Sequence, residues 1–173
     1  GNAGTSISGF SDPRTLAINP VTSRVYVANF NGAVSIIDDT LAMPAVIESI
    51  ATARTLFGIA VNTLTNKVYV GASGGQNDLL VLDPGSGSVT AIPDDYGTIY
   101  AVAVNETTNK IYATHASGGG SGVSVFNGID GTFRSHISPG GATAGVVADP
   151  NANRVYVSLI NDDAVAVIGW LLR

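Results

Sequence analysis

Ala60-Val61-Asn62-Thr63-Leu64-Thr65-Asn66-Lys67-Val68-Tyr69-Val70 decides the fold, because the same pattern occurs four times in the chain. A short apolar segment runs into an Asn, a polar turn follows, and a basic residue opens a second apolar segment that carries a Tyr. The pattern stands upstream from Ala17 to Val27, with Asn19, Arg24 and Tyr26. Downstream it runs from Ala103 to Ala113, with Asn105, Asn109, Lys110 and Tyr112, and from Val147 to Val157, with Asp149, Asn153, Arg154 and Tyr156. The tyrosines are spaced by 43, 43 and 44 residues, a fixed period of the kind that marks repeat architectures.

Each copy reads as a hairpin, two apolar strands around a tight polar turn. A third strand follows at Val34 to Ile37, Leu79 to Leu82, Val123 to Phe126 and Val165 to Ile168. A more polar fourth strand comes around Ile47 to Ile50, Val89 to Ile92 and Phe133 to Ile137. Four strands in one such period make a propeller blade, and the absence of a 3.6-residue apolar spacing removes the helical solenoids of similar period. The predicted fold is therefore all-β, a β-propeller with four four-stranded blades per chain. Its repeats are placed at about 10–51, 52–93, 94–138 and 139–173.

The two ends are offset against this period. The fourth copy has no fourth strand of its own, while Ile7 precedes Leu16 by the same nine residues that separate Ile50 from Ile59 and Ile137 from Val146. Residues 5–9 are expected to be an orphan strand that completes the last blade, in cis or in trans, and so hides two sheet edges. Three assemblies follow: a self-closed four-bladed ring, an eight-bladed homodimer formed by strand exchange of residues 5–9, or part of a longer propeller. The homodimer is the favoured expectation. The chain opens on Gly1 rather than Met, so a removed leader, tag or preceding segment is also expected.

Composition agrees with a packed β protein: 45% of residues are hydrophobic, 12% are charged and 21 are glycine. The net charge of −5, without a run of Lys or Arg, disfavours nucleic acid and anionic membranes, both of which need clustered cations. No apolar stretch has the length of a membrane-spanning helix, and no insertion is expected. With no cysteine, disulfides, thiolate metal sites and cysteine nucleophiles are excluded.

The residues Asn66-Lys67-Val68-Tyr69-Val70, preceded by Ala60-Val61-Asn62 and followed by Val81-Leu82-Asp83, resemble the YVTN family of bacterial and archaeal β-propeller repeats. The resemblance implies secreted or cell-surface proteins, rings of about seven or eight blades, and binding roles more often than catalytic ones. This chain departs from it in having four repeats, and in the acid that ends the third strand. That acid is Asp38 and Asp83 in the first two copies but Asn127 and Gly169 in the others.

The first hairpin turn keeps one length in all four copies, whereas the loop between second and third strands varies. That loop and the connections between blades share one rim, where loops on a rigid scaffold carry binding groups. The candidate ligand-binding residues are Arg14, Asn29, Phe30, Arg54, Phe57, Asp78, Asp95, Tyr96, Tyr100, His115 and Asp162, with Gln76, Asn77 and Asp94 among their neighbours. Aromatic rings beside amides and carboxylates suit sugars or peptides, although polar residues also occupy such loops for turn geometry alone. No catalytic residue is assigned. Asp94-Asp95 and Asp162-Asp163 lack the spacing of a calcium loop, and Gly118-Gly119-Gly120 lacks the helix and lysine of a phosphate loop. The function expected is a non-enzymatic binding or scaffold module for a protein, glycan or cell-envelope partner, with no cofactor. The alternatives are a lactonase-like or streptogramin-lyase-like enzyme, with His115 facing a channel that holds calcium or magnesium, and a half-ring of a larger propeller.

Overall fold

The computed structural model describes residues 4–74, 78–115 and 121–169. Blade one is the antiparallel meander β1 (Pro13–Asn19), β2 (Arg24–Asn29), β3 (Ala33–Asp38) and β4 (Ala45–Ala51). Blade two repeats it with β5 (Thr55–Asn62), β6 (Lys67–Ser73), β7 (Asp78–Asp83) and β8 (Ser88–Pro93). Blade three is β9 (Ile99–Asn105), β10 (Lys110–His115), β11 (Gly122–Asn127) and β12 (Phe133–Ile137). Blade four has three strands, β13 (Ala142–Asp149), β14 (Arg154–Ile160) and β15 (Ala164–Ile168). No helix among the described residues is long and apolar enough to cross a membrane.

The repeated motif builds the first hairpin of every blade. Asn19, Asn62, Asn105 and Asp149 each end a first strand and turn Oδ1 back to accept backbone N–H groups of the turn, such as Val21, Leu64, Thr108 and Asn151. Ser23, Asn66, Asn109 and Asn153 take the left-handed conformation four residues later, with φ of 51°, 55°, 48° and 51°. Asn tolerates that region well, which accounts for its recurrence there.

Blades stack through both faces of their sheets. First strands lie side by side in the order β1, β5, β9, β13, so they occupy the inner radius where the blades converge. Because side chains alternate along a strand, Ala17, Ala60 and Ala103 face the following blade, while Ile59, Val102 and Val146 face the preceding one. Three apolar cores result. Tyr26, Ala28 and Val34 meet Leu56, Ile59 and Val68; Tyr69 and Leu79 meet Ile99, Val102 and Ile111; Tyr112 and Val125 meet Val146, Val155 and Val157. The repeated tyrosines are thus packing residues between blades, and Tyr69 also donates its hydroxyl to Gly128 O at 3.2 Å.

One side-chain hydrogen bond recurs across each of these junctions. Asn19 Nδ2 donates to Asn66 Oδ1 at 2.9 Å, Asn62 Nδ2 to Asn109 Oδ1 at 2.9 Å, and Asn105 Nδ2 to Asn153 Oδ1 at 3.2 Å. Each donor is fully buried. One repeated Asn therefore closes its own turn with its oxygen and grips the next blade with its nitrogen.

Of the two closures left open, the one in cis is not formed among the described residues. Residues 4–10 adopt no strand, and a Cβ placed on Gly9 would stand 3.9 Å from Val46 Cγ2, beside blade one. β13 does not pack along β1 as the neighbouring first strands pack together, so the four blades make an open arc. β15 keeps an outer edge with no strand paired to it among the described residues. The physical reason is distance along the arc: the N-terminal segment leaves from its first blade, and the free edge lies on its last.

Close approach between blades two and three rests on glycine. A Cβ on Gly71 would lie 2.5 Å from Ile99 Cγ2 and 2.7 Å from Ile99 O. Gly71→Ala is predicted to cost about 1–3 kcal/mol by overpacking. Gly4→Ala, which meets nothing within 4 Å, should change stability by less than about 0.5 kcal/mol. Urea unfolding of the two variants checks the contrast.

Candidate binding surface

Among the described residues, the ends of second strands, the starts of third strands and the connections between blades lie on the same rim. Four of the candidate side chains form a continuous row across it. The Arg14 guanidinium lies over the Phe30 ring, 4.5 Å from its centroid. Phe30 meets Phe57 edge to face at 5.7 Å, and Phe57 meets the tilted ring of Tyr100 at 5.2 Å. Arg14, Phe57 and Tyr100 occupy one register position near the start of β1, β5 and β9, with Ala144 as the fourth member in β13. The row therefore sits at the inner radius, along the mouth of the channel that first strands line.

Local structure holds these rings outward. The pairing of β5 with β6 shifts register between Leu56 and Ile59, and Thr15 Oγ1 donates to Phe57 O across the junction of blades one and two. A bulge of this kind re-aims a side chain at the end of a strand. Phe30 and Phe57 are half-buried and Tyr100 is 37% exposed, so their faces are partly open to a ligand. Beside them Phe30, Asn31, Ala53, Arg54, Thr55 and Gly74 line an open cleft of about 490 Å³ between blades one and two.

The remaining candidates divide between internal bonds and exposed turns. Arg54 Nε binds Asp78 Oδ2 at 2.8 Å; Asp78 is buried, and its Oδ1 has no hydrogen-bond partner. Asn29 is also buried, donating to Ala33 O and Ser35 Oγ at 2.9 Å and accepting from Ser11 N, so it staples its own turn. Asp95 and Asp162 are exposed and apart from the row. Gln76, Asn77 and the glycines 118–120 lie outside the described residues.

His115 does not face the channel. It is fully buried in blade three, directed along the sheet toward the outer strands. Its Nδ1 stands 3.1 Å from Gly97 O, which can only accept, so Nδ1 is the donor in that bond. Nε2 is 2.9 Å from Ser124 Oγ and 3.4 Å from Asp94 Oδ2; the latter is an ion-pair distance without hydrogen-bond alignment, and Asp94 Oδ2 remains without a hydrogen bond. Ser124 Oγ reaches His136 Nδ1 at 3.4 Å, and Tyr96 stacks on the His136 ring at 3.7 Å with 6° between planes. Burial opposes ionisation of Asp94, but the His115 ring and the Tyr96 N–H outweigh it and hold the carboxyl below its ordinary value.

Blade one carries the same relay without histidine. Asn29, Ser35 and Ser49 occupy the positions of His115, Ser124 and His136, and Ser35 Oγ lies 2.9 Å from both Asn29 Nδ2 and Ser49 Oγ. Blade two has Ala72, Leu80 and Ala91 at these positions. A site that accepts an amide relay, an imidazole relay or plain hydrocarbon in successive blades is a structural one. The partners Asp94, Ser124 and His136 are legible only through strand register, since Asp94 and His115 are far apart in sequence. Among the described residues no group of three or more His, Asp or Glu side chains is placed to hold a metal ion.

No family model matches the chain, and no curated protein matches it. Among solved structures it is similar to a chain of Kuenenia stuttgartiensis hydrazine synthase, with a TM-score of 0.78 and 14% sequence identity. The match covers 93% of this chain and 59% of that one, so this chain spans about three fifths of that chain's length. Similarity at this identity is one of fold, and the fold is the repeated blade architecture described above.

The relay makes a pH prediction. Burial, then the neighbouring His115, depress the His136 pKa below its ordinary 6.5. The unfolded chain then binds more protons than the folded one between the folded value and 6.5, so stability falls as pH drops through that window. His136→Gln, which keeps a hydrogen-bonding group for Ser124, should flatten the fall. Denaturant midpoints between pH 7 and pH 5 measure it, and equal slopes for both proteins would contradict His136 as a partly buried, neutral ring.

Proposed function

We propose that the chain is a non-enzymatic binding module of the YVTN type, engaging a glycan or peptide of a cell-surface or secreted partner through the Arg14–Phe30–Phe57–Tyr100 row. The observation that carries this reading is the continuity of the row. Single exposed aromatics are ordinary, but three rings that touch in succession, ended by a cation and placed beside an open cleft, offer an apolar platform of angled rings with a polar edge. Sugar rings present apolar C–H faces that stack on such platforms, and extended peptides present proline or aromatic side chains that do the same. Arg14 supplies an exposed cation for a carboxylate of either ligand, and it already spends one bond on Asp12 at 3.1 Å.

The chemistry-bearing residues outside the row favour binding over turnover. The histidine-centred relay of blade three is enclosed, and its bonds run to backbone and side chains of its own blade and its entry loop. A general base needs hydrogen-bond reach to a substrate proton, which a fully buried imidazole lacks.

Binding to arrays of neutral and acidic glycans and of extended peptides tests the reading. Phe57→Ala and Tyr100→Ala are each predicted to weaken the best ligand by about ten-fold or more, the loss expected of one stacking platform. Val21→Ala, at an exposed turn on the opposite rim, should leave affinity unchanged. If both ring variants bind as the unmodified chain does, the row is not the site.

A further inference from the structure

Among the described residues, both end faces of the arc lack the cover that every internal face has. Ile59, Val102 and Val146 occupy one repeat position and are 8%, 8% and 9% exposed, each covered by the preceding blade. Leu16 holds that position in blade one and is 63% exposed, with Ile18 open beside it. At the other end, Tyr26, Tyr69 and Tyr112 are buried by the following blade, whereas Tyr156 is half-buried in an apolar cleft of about 410 Å³ that it lines with Val146, Val147 and Val165. Val147 and Val165 are largely exposed. Blade one thus offers the face that blade four lacks, and the three internal junctions show how such faces fit together.

The Asn relay singles out the same two ends. Its donors are Asn19, Asn62 and Asn105, and its acceptors are Asn66, Asn109 and Asn153. The donor position of blade four is Asp149, which as a carboxylate presents only acceptor oxygens. The acceptor position of blade one is Ser23, whose hydroxyl can donate. Set against each other, the two residues form a complementary pair with the bond reversed in direction, from the Ser23 hydroxyl to the Asp149 carboxylate. The pair coincides with the one junction the chain does not make within itself.

We infer that blade four of this chain docks blade one of a second copy, with Ser23 of the second copy donating to Asp149, and that two such junctions close a two-fold, eight-bladed ring. Head-to-tail contacts close when the rotation permits, and two four-bladed arcs satisfy both open faces at once within the usual range of blade numbers. The connection between blades runs from the outer strand of one blade to the first strand of the next. Residues 5–9 precede β1, on the side of blade one that the second copy would cover, and they are therefore positioned to pair with the open edge of its β15. The three-stranded sheet gains its fourth strand in the same event. This inference is independent of what the rim binds.

Light scattering of the purified chain tests it. The predicted mass is that of two chains, against 17.5 kDa for one. Leu16→Glu and Val147→Asp are both at exposed positions, so each variant should keep its β circular dichroism and run as one chain at micromolar concentration. Mixing the two should restore the two-chain mass, because the intact fourth blade of the first variant meets the intact first blade of the second. Ser23→Ala should raise the dimer Kd by about ten-fold or more, the loss of one charge-assisted hydrogen bond. A mass of one chain, or of three or more, for the unmodified protein would overturn the ring. A two-chain mass kept by both face variants would overturn the docking faces, and an unchanged Kd for Ser23→Ala would overturn the Asp149 pairing.

Discussion

The arc depends on what one blade does to the next. A single four-stranded sheet has two faces and cannot bury both by itself, so each blade is stable only as a neighbour. The buried Asn at the end of each first strand sets how neighbours meet. Its Oδ1 closes the turn and its Nδ2 crosses to the next blade, which fixes the height of one sheet against another. Apolar packing alone would tolerate sliding along the strand direction, since Val, Ile and Ala side chains are similar from one rung to the next. A buried amide left without its partner is costly, so the relay makes one offset preferred.

From that junction the rest of the surface follows. With blades fixed in height, equivalent positions in successive first strands come to lie side by side, and Arg14, Phe57 and Tyr100 become a row although nothing in the local sequence joins them. The same logic explains the enclosed relays within blades. They bind second, third and fourth strands across one sheet and vary from amide to imidazole to hydrocarbon without changing its frame. Variation is tolerated inside a blade because the frame is set between blades.

The repeat was legible in the sequence because it is a matter of spacing, and spacing survives substitution. The all-β class, the four copies and the strand order within a blade all follow from it. Contacts between repeats were far less legible. That Tyr26 and Tyr69 pack against the following blade could be read from their alternation, but the Asn19–Asn66 bond pairs residues of different copies that play different roles in their own turns. His115 was misplaced for a related reason. The end of a second strand looks exposed in one dimension, and only the pairing of β10 with β11 shows its ring turned toward Ser124. Among the rim candidates the aromatic residues formed the row. The buried polar ones, Asn29 and Asp78, were committed to internal bonds that sequence does not display.

The coupling between blades two and three runs through Asn62 and Asn109. A double-mutant cycle with Asn62→Ala and Asn109→Gly measures it, glycine being chosen because position 109 needs positive φ. A coupling of about 1 kcal/mol or more in unfolding free energy is the predicted result, as for a buried amide–amide hydrogen bond. Additivity of the two losses to within about 0.3 kcal/mol would show that the blades are held by apolar contact alone, and would contradict the relay as the constraint that sets their offset.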